Sequence, residues 1–255
     1  SNLGIYLVKF LKSKEKKIIE INRKNDNFFL ENSHTYNFKG KKISTLIHLA
    51  HSYTANGFNI NFEGSKKLFI KARKNNVKKI IFISSISAHS KALSDYGKTK
   101  YKIEKFCLKN KIIILRPGII FGEGVDKKLS LMSSLLRYFP IIPCFNNKNK
   151  FLYSVHINDL IKVIYKNIKS SKLTGNYNVF SNHKIYLNNL IDLTTNKKIK
   201  IYLPYQFFDI FFTLISKIFY LKSVDSFLGI LGNRINYNHP DEKNIFTNKN
   251  ILKNK

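Results

Sequence analysis

Four consecutive apolar residues, Ile80-Ile81-Phe82-Ile83, stop at Ser84-Ser85 and constrain the fold more than any other stretch. A strand with one wetted face alternates apolar and polar residues. A strand that is apolar throughout is covered on both faces, as in a parallel sheet flanked by helices. Leu46-Ile47-His48-Leu49-Ala50 and Lys111-Ile112-Ile113-Ile114-Leu115 read as further buried strands, and Tyr177-Asn178-Val179-Phe180 as a short one. Between them, residues 61–75 form an amphipathic helix with Phe62, Leu68, Phe69 and Ala72 on its apolar side. A second helical pattern begins at Tyr96 and continues through Tyr101, Ile103, Glu104 and Phe106. Strands alternating with helices at this rhythm predict an α/β doubly wound parallel sheet.

Residues 2–11 have helical apolar spacing and residues 17–21 are strand-like. A helix leading into a strand implies a strand ahead of it. None is visible in the chain, and the expectation is a natural chain that begins earlier, or a degenerate first unit. Beyond residue 125 the pattern predicts a helix over 127–139, a loop at Pro140-Ile141-Ile142-Pro143, a strand over 151–156 and a helix over 157–168. Helices over 187–193 and 204–221 complete the reading. Residues 1–125 are thus assigned to a nucleotide-binding unit and 126–255 mainly to a small substrate lobe interleaved with the sheet. The apolar stretch 207–221 is broken by Asp209 and Lys217. It is also shorter than the ~20 residues a spanning helix needs, so a buried or amphipathic helix is favoured over membrane-surface contact.

The net charge of +30 would ordinarily suggest nucleic acid or an anionic membrane. Only five of the 45 basic residues are arginine, however, and the lysines are scattered, with Asn, Ile, Phe and Tyr inflated alongside them. This reads as a solvated, compositionally biased surface with no nucleic-acid motif. Two cysteines, Cys107 and Cys144, without Cys-x-x-Cys spacing or a His cluster, argue for a reducing, cytoplasmic setting and against a structural metal.

The chemistry concentrates at residues 84–100. Ser85 follows the central strand, where open α/β sheets keep their ligands. Tyr96 and Lys100 are four apart, so on a helix the phenol and the ammonium lean toward one spot. The lysine charge favours the phenolate, and Ser/Tyr/Lys so placed form an acid–base set for a carbinol or carbonyl. In a lysine-rich chain Tyr-x-x-x-Lys alone means little. The signal is the order: strand, Ser-Ser, loop, Tyr-x-x-x-Lys helix, strand, Arg116-Pro117-Gly118. His156 reads as a packed or capping histidine.

Several pieces follow one another in the order of a known family: Leu3-Gly4, His48-Leu49-Ala50, Asn61-x-x-Gly64-Ser65, Ser84-Ser85 and Tyr96-x-x-x-Lys100. Arg116-Pro117-Gly118 with Phe121-Gly122, and Val155-His156-Ile157-Asn158-Asp159-Leu160, continue the series. The chain resembles the extended or atypical short-chain dehydrogenases/reductases of the NAD-dependent epimerase/dehydratase family. The resemblance implies a Rossmann-like fold with Tyr96 as general acid/base, Lys100 tuning it and holding the nicotinamide ribose, and Ser85 bonding the reacting oxygen. It implies that Gly4, Ala50, Asn61 and Pro117 line the cofactor. Lys150 and Arg234 stand as candidate clamps for a substrate diphosphate. Asn22 and Arg23 occupy the position that reads the adenosine ribose, and a cation there slightly favours NADP over NAD. The glycine fingerprint shows only Gly4, preceded by Ser1, Asn2 and Leu3. Residues 60–75 and 96–109 would be the family's dimerising helices, predicting a homodimer.

Three functions stay open: an NAD(P)-dependent nucleotide-sugar epimerase or keto-reductase serving surface polysaccharide synthesis, a non-catalytic Rossmann-like subunit or assembly factor, and a basic nucleic-acid binder. Ser85, Tyr96 and Lys100 favour the first.

Overall fold

Ile80, Ile81 and Phe82 are wholly buried, and their side chains separate to opposite faces of one sheet. The computed structural model describes residues 2–22, 28–38, 40–54, 56–122, 141–145, 151–183, 185–186, 199–203 and 243–248. In chain order the elements are α1 (Asn2–Lys12), β1 (Thr45–His48), α2 (Gly57–Lys74), β2 (Lys79–Ile83), α3 (Asp95–Lys109) and β3 (Ile113–Pro117). They continue with β4 (Ile119–Phe121), β5 (Ile141–Phe145), β6 (Phe151–Leu152), β7 (Ser154–His156), α4 (Ile157–Lys169) and β8 (Asn176–Ser181). β9 (Ile185–Tyr186), β10 (Ile199–Leu203) and β11 (Lys243–Thr247) complete the set.

β1, β2, β3, β8 and β11 lie side by side in that order, every pair parallel. This is the doubly wound, Rossmann-like architecture expected from the apolar runs. On one face α1 and α4 bury Leu3, Leu7, Leu11, Leu160 and Ile164 against Ile81, Ile83, Ile113 and Leu115. On the other, α2 and α3 bury Leu68, Phe69, Ala72, Ile103 and Cys107 against Ile80, Phe82 and Ile114. Each fully buried Ile or Phe contributes about 1.5–3 kcal/mol over its exposed state. Asn76 (φ 61°) and Lys111 (φ 52°) take left-handed conformations after α2 and α3, turning each helix directly toward the next strand.

Two caps fix α3 and α4. Ser94 Oγ accepts from the Gly97 amide (3.0 Å) at the start of α3, with Asp95 in the first turn. His156 caps α4 through Nδ1, which accepts from the Asn158 amide, as the capping reading of that histidine requires. The far end of α4 is held from β2. The buried Lys79 donates to the carbonyls of Asn167 (2.9 Å), Ile168 (2.8 Å) and Ser170, orphaned where the helix stops.

Three expectations change. Residues 16–22 form no ladder among the described residues, although Ile18 packs on the aliphatic cluster and Ile21 on the aromatic one. The two-sided pattern of a strand is present without a ladder among the described residues. Residues 141–145 are a strand paired with β10, where the two prolines predicted a loop. A proline lacks one ladder donor, and a strand with a single partner among the described residues tolerates that. The predicted strand over 151–156 is two short ones in separate pairings, β6 with β9 and β7 with β4. The helices expected over 127–139, 187–193 and 204–221 lie outside the described residues.

Candidate active site

The C-terminal end of β2 gathers the three residues on which the sequence reading centres. Lys100 is 3% exposed and donates from Nζ to the Ile83 carbonyl (2.9 Å), the last residue of the strand. Its ammonium also sits 4.6 Å from the centre of the Phe82 ring and 5.7 Å from that of Tyr96. Ser85, two residues beyond Ile83, shares a hydrogen bond with the hydroxyl of Ser87 (2.9 Å) and accepts from the Ser87 amide. The start of α3 is pressed onto this turn at Gly97, where an added Cβ would stand 2.5 Å from the Ser87 carbonyl oxygen. Glycine after Tyr96 therefore lets the helix approach the serine turn closely. Tyr96 itself is half-buried at the edge of the cluster.

Histidines to which the sequence reading gave no site role line the same place. His51 lies edge-on to Tyr96, ring centres 4.7 Å apart, and Tyr53 stacks parallel to Tyr96 at 6.2 Å. His48 hydrogen-bonds Ser65 (2.7 Å) beneath them. Burial, reinforced by the Lys100 charge, lowers its pKa to about 3, so the imidazole is neutral at pH 7. In the sequence it stands only as a polar residue inside an apolar run and as the first residue of His48-Leu49-Ala50, with no role assigned.

The candidate cofactor residues divide by location. Ala50 is exposed just past β1, on a loop held in shape by Asn61. The Asn61 amide accepts from Ser52 N (2.7 Å) and donates to the carbonyls of Ser52 (2.7 Å) and Gly57. Its side chain thus serves the loop. Pro117 ends β3, and its carbonyl accepts from the Ile86 amide (3.1 Å), tying the serine turn to the neighbouring strand. Gly4 is in the first turn of α1, and Asn22 lies in the extended stretch after it. Arg23, Lys150 and Arg234 lie outside the described residues. Among the described residues there is no His/Cys/Asp/Glu cluster suited to a metal, and no helix is long and apolar enough to cross a membrane.

A sequence-distant pair braces the site from below. Arg116 of β3 donates from Nε to Oε1 of Glu104 (2.8 Å) and from Nη2 to Oε2, both side chains buried.

No family model matches the chain. It is 25% identical over 177 residues to the N-acetyl-alpha-D-glucosaminyl-diphospho-ditrans,octacis-undecaprenol 4-epimerase of Escherichia coli O157:H7. That match covers 58% of this chain and 52% of the relative, so it spans about half the relative's length. Among solved structures, MoeE5 in complex with UDP-glucose and NAD superposes with a TM-score of 0.62 at 17% identity, over 79% of this chain and 82% of that one. The UDP-N-acetylglucosamine 4-epimerase of Bacillus cereus gives 0.57 at 18% identity, over 79% and 83%. The dTDP-4-dehydrorhamnose reductase of Bacillus anthracis with NADP gives 0.59 at 18% identity, over 79% and 81%. The fold is that of the nucleotide-sugar epimerases and reductases.

Proposed function

We propose that this chain is an NAD(P)-dependent epimerase or keto-reductase acting on a sugar carried on a diphosphate, nucleotide sugars first. The observation that carries the reading is the buried Lys100, anchored at the end of β2 with its charge beside Tyr96 and the Ser85 turn. In this reading the Tyr96 phenol gives or takes the proton of a sugar hydroxyl or carbonyl. Lys100 favours the phenolate through its charge, and Ser85 holds the reacting oxygen. The donor set suits the nicotinamide-ribose end of a dinucleotide: a buried ammonium, a phenol and serine hydroxyls at strand ends, with a small exposed residue, Ala50, at the neighbouring exit. When bound, the nicotinamide supplies hydride exchange with a sugar carbon.

Gly4, Asn22, Arg23, Ala50, Asn61 and Pro117 are assigned to the cofactor, Asn61 through the loop it shapes, and Lys150 and Arg234 to the substrate diphosphate. NADP is slightly favoured, because Asn22-Arg23-Lys24 offers cations and no carboxylate to the ribose. The relative acting on an undecaprenol-linked sugar, with this chain's +30 charge, supports including lipid-linked diphosphates among the substrates. We assign the protein to the cytoplasm and to surface polysaccharide synthesis, as a homodimer through α2 and α3.

The test is calorimetric titration of the full-length protein with NADH and NADPH, then incubation with 4-keto and 4-hydroxy sugars on nucleotide and undecaprenyl diphosphates. Cofactor binding with turnover of one donor class is expected. Absence of cofactor binding overturns the reading and leaves the non-catalytic subunit.

A further inference from the structure

Tyr96, Lys100 and Glu104 are spaced four apart along α3 and therefore share one face of the helix. That face holds a cation and an anion in succession, both buried beside Cys107. Burial pushes the Cys107 thiol up, Glu104 raises it further and Lys100 lowers it, so both charges act within one poorly solvated patch. In such a patch a carboxylate one turn from an ammonium competes for it strongly. Here the carboxylate has another partner. Arg116, the residue before Pro117 at the end of β3, engages both oxygens of Glu104 in a two-pronged pairing that a guanidinium makes and an ammonium cannot.

We propose that Arg116 and Glu104 are a positioning pair: the guanidinium keeps the Glu104 carboxylate occupied, so that the Lys100 charge is directed at Ile83 and the Tyr96 phenol instead of being neutralised within its own helix. The inference rests on the reading of Tyr96 and Lys100 as the reacting pair. It assigns a purpose to the arginine of Arg116-Pro117-Gly118 beyond ending a strand. With Arg116 removed, the buried Glu104 turns to Lys100, one turn back on the same helix, and the phenolate loses its support. Among the described residues, other titratable groups facing this cluster include His48 of β1, and His51 and Tyr53 of the following loop. His48 is neutral across the range that matters.

The test uses Arg116→Gln, Glu104→Gln and the double variant. The Tyr96 phenol is titrated by NMR of ring-labelled tyrosine, assigned with Tyr96→Phe, alongside the pH profile of turnover. Arg116→Gln should raise the Tyr96 midpoint by about one pH unit and move the acid limb of turnover with it. The double variant should return the midpoint to within a few tenths of the parent, although its stability stays lower. A purely structural brace predicts the opposite pattern: melting temperatures fall while the Tyr96 midpoint is the same in all variants, and that result overturns the inference. If Arg116→Gln does not fold, Arg116→Lys serves, with a smaller shift in the same direction expected and no shift overturning it. Because the NMR titration needs neither substrate nor turnover, a shifted midpoint in a protein inactive on every sugar would sink the proposed function while upholding the pair.

Discussion

The two faces of the central sheet are laid down by the same strands and differ in how many rings and polar groups they bury. Against α1 and α4 the buried residues are aliphatic (Leu3, Leu7, Leu11, Ile81, Ile113, Leu115, Leu160 and Val179), with Tyr6, Phe10 and Tyr165 packed only at their edge. Against α2 and α3 the buried core adds aromatic rings, Phe69 and Phe82 among them, to aliphatic residues such as Leu68, Ile80, Ile103 and Ile114, and buries His48, Ser65, Lys100, Glu104 and Arg116. Each face also holds a buried lysine. Lys79, at the entry of β2, gives its protons to three carbonyls where α4 stops. Lys100, at the exit of β2, lies against the Phe82 and Tyr96 rings. The same side chain closes a helix at one end of a strand and, in the proposed reading, prepares an acid–base group at the other. Burial alone therefore does not mark a site. Position relative to the C-terminal end of the strands does.

If this contrast holds, the two faces respond differently to substitution. Tyr96→Phe should cut turnover by about 10²–10⁴-fold with little change in cofactor affinity or melting, since it removes one transferable proton and little volume. Retained turnover would erase the distinction. Leu160→Ala on the opposite face should cost about 2–5 kcal/mol in urea unfolding and leave the pH profile of the surviving folded enzyme in place. Lys79→Met should cost about 1.5–3 kcal/mol through the lost charge-assisted bonds, again without moving any pH limb. A shifted limb would mean the two lysines are coupled.

The last effect is a slope. His48 titrates near 6.5 unfolded and about 3 folded, so below pH 6.5 the unfolded chain takes up a proton that the fold refuses. The stability contributed by the neutral imidazole is complete above that pH. It declines by about 1.4 kcal/mol per unit as pH falls toward 3. Urea midpoints of the parent and His48→Gln, compared at pH 7, 5.5 and 4.5, should converge as pH drops. Parallel curves would remove His48 from the pH response of this face.

The sequence made some of this legible and withheld the rest for physical reasons. Ile80 to Ile83 announced a strand covered on both sides because local composition alone carries that message. Tyr96 and Lys100 were legible because four residues along a helix is a local distance. Arg116 and Glu104 are on different elements, as are His48 and Lys100, and nothing in their neighbours encodes the meeting. The extended residues 16–22 show the converse: apolar alternation reports which faces are covered, while ladder formation requires a second strand alongside. The prolines at 140 and 143 signalled a loop because the pairing of β5 with β10 joins residues more than fifty positions apart.

The bonds between Asn61 and the backbone of Ser52 and Gly57 also have a consequence in time. A loop amide would ordinarily exchange its hydrogen with solvent within seconds, yet the Ser52 amide is bonded inside the helix-bearing core. Its exchange should proceed only when the start of α2 opens, at the rate of the helix and not of the loop. The segment carrying Ala50 and His51 then moves as an extension of α2.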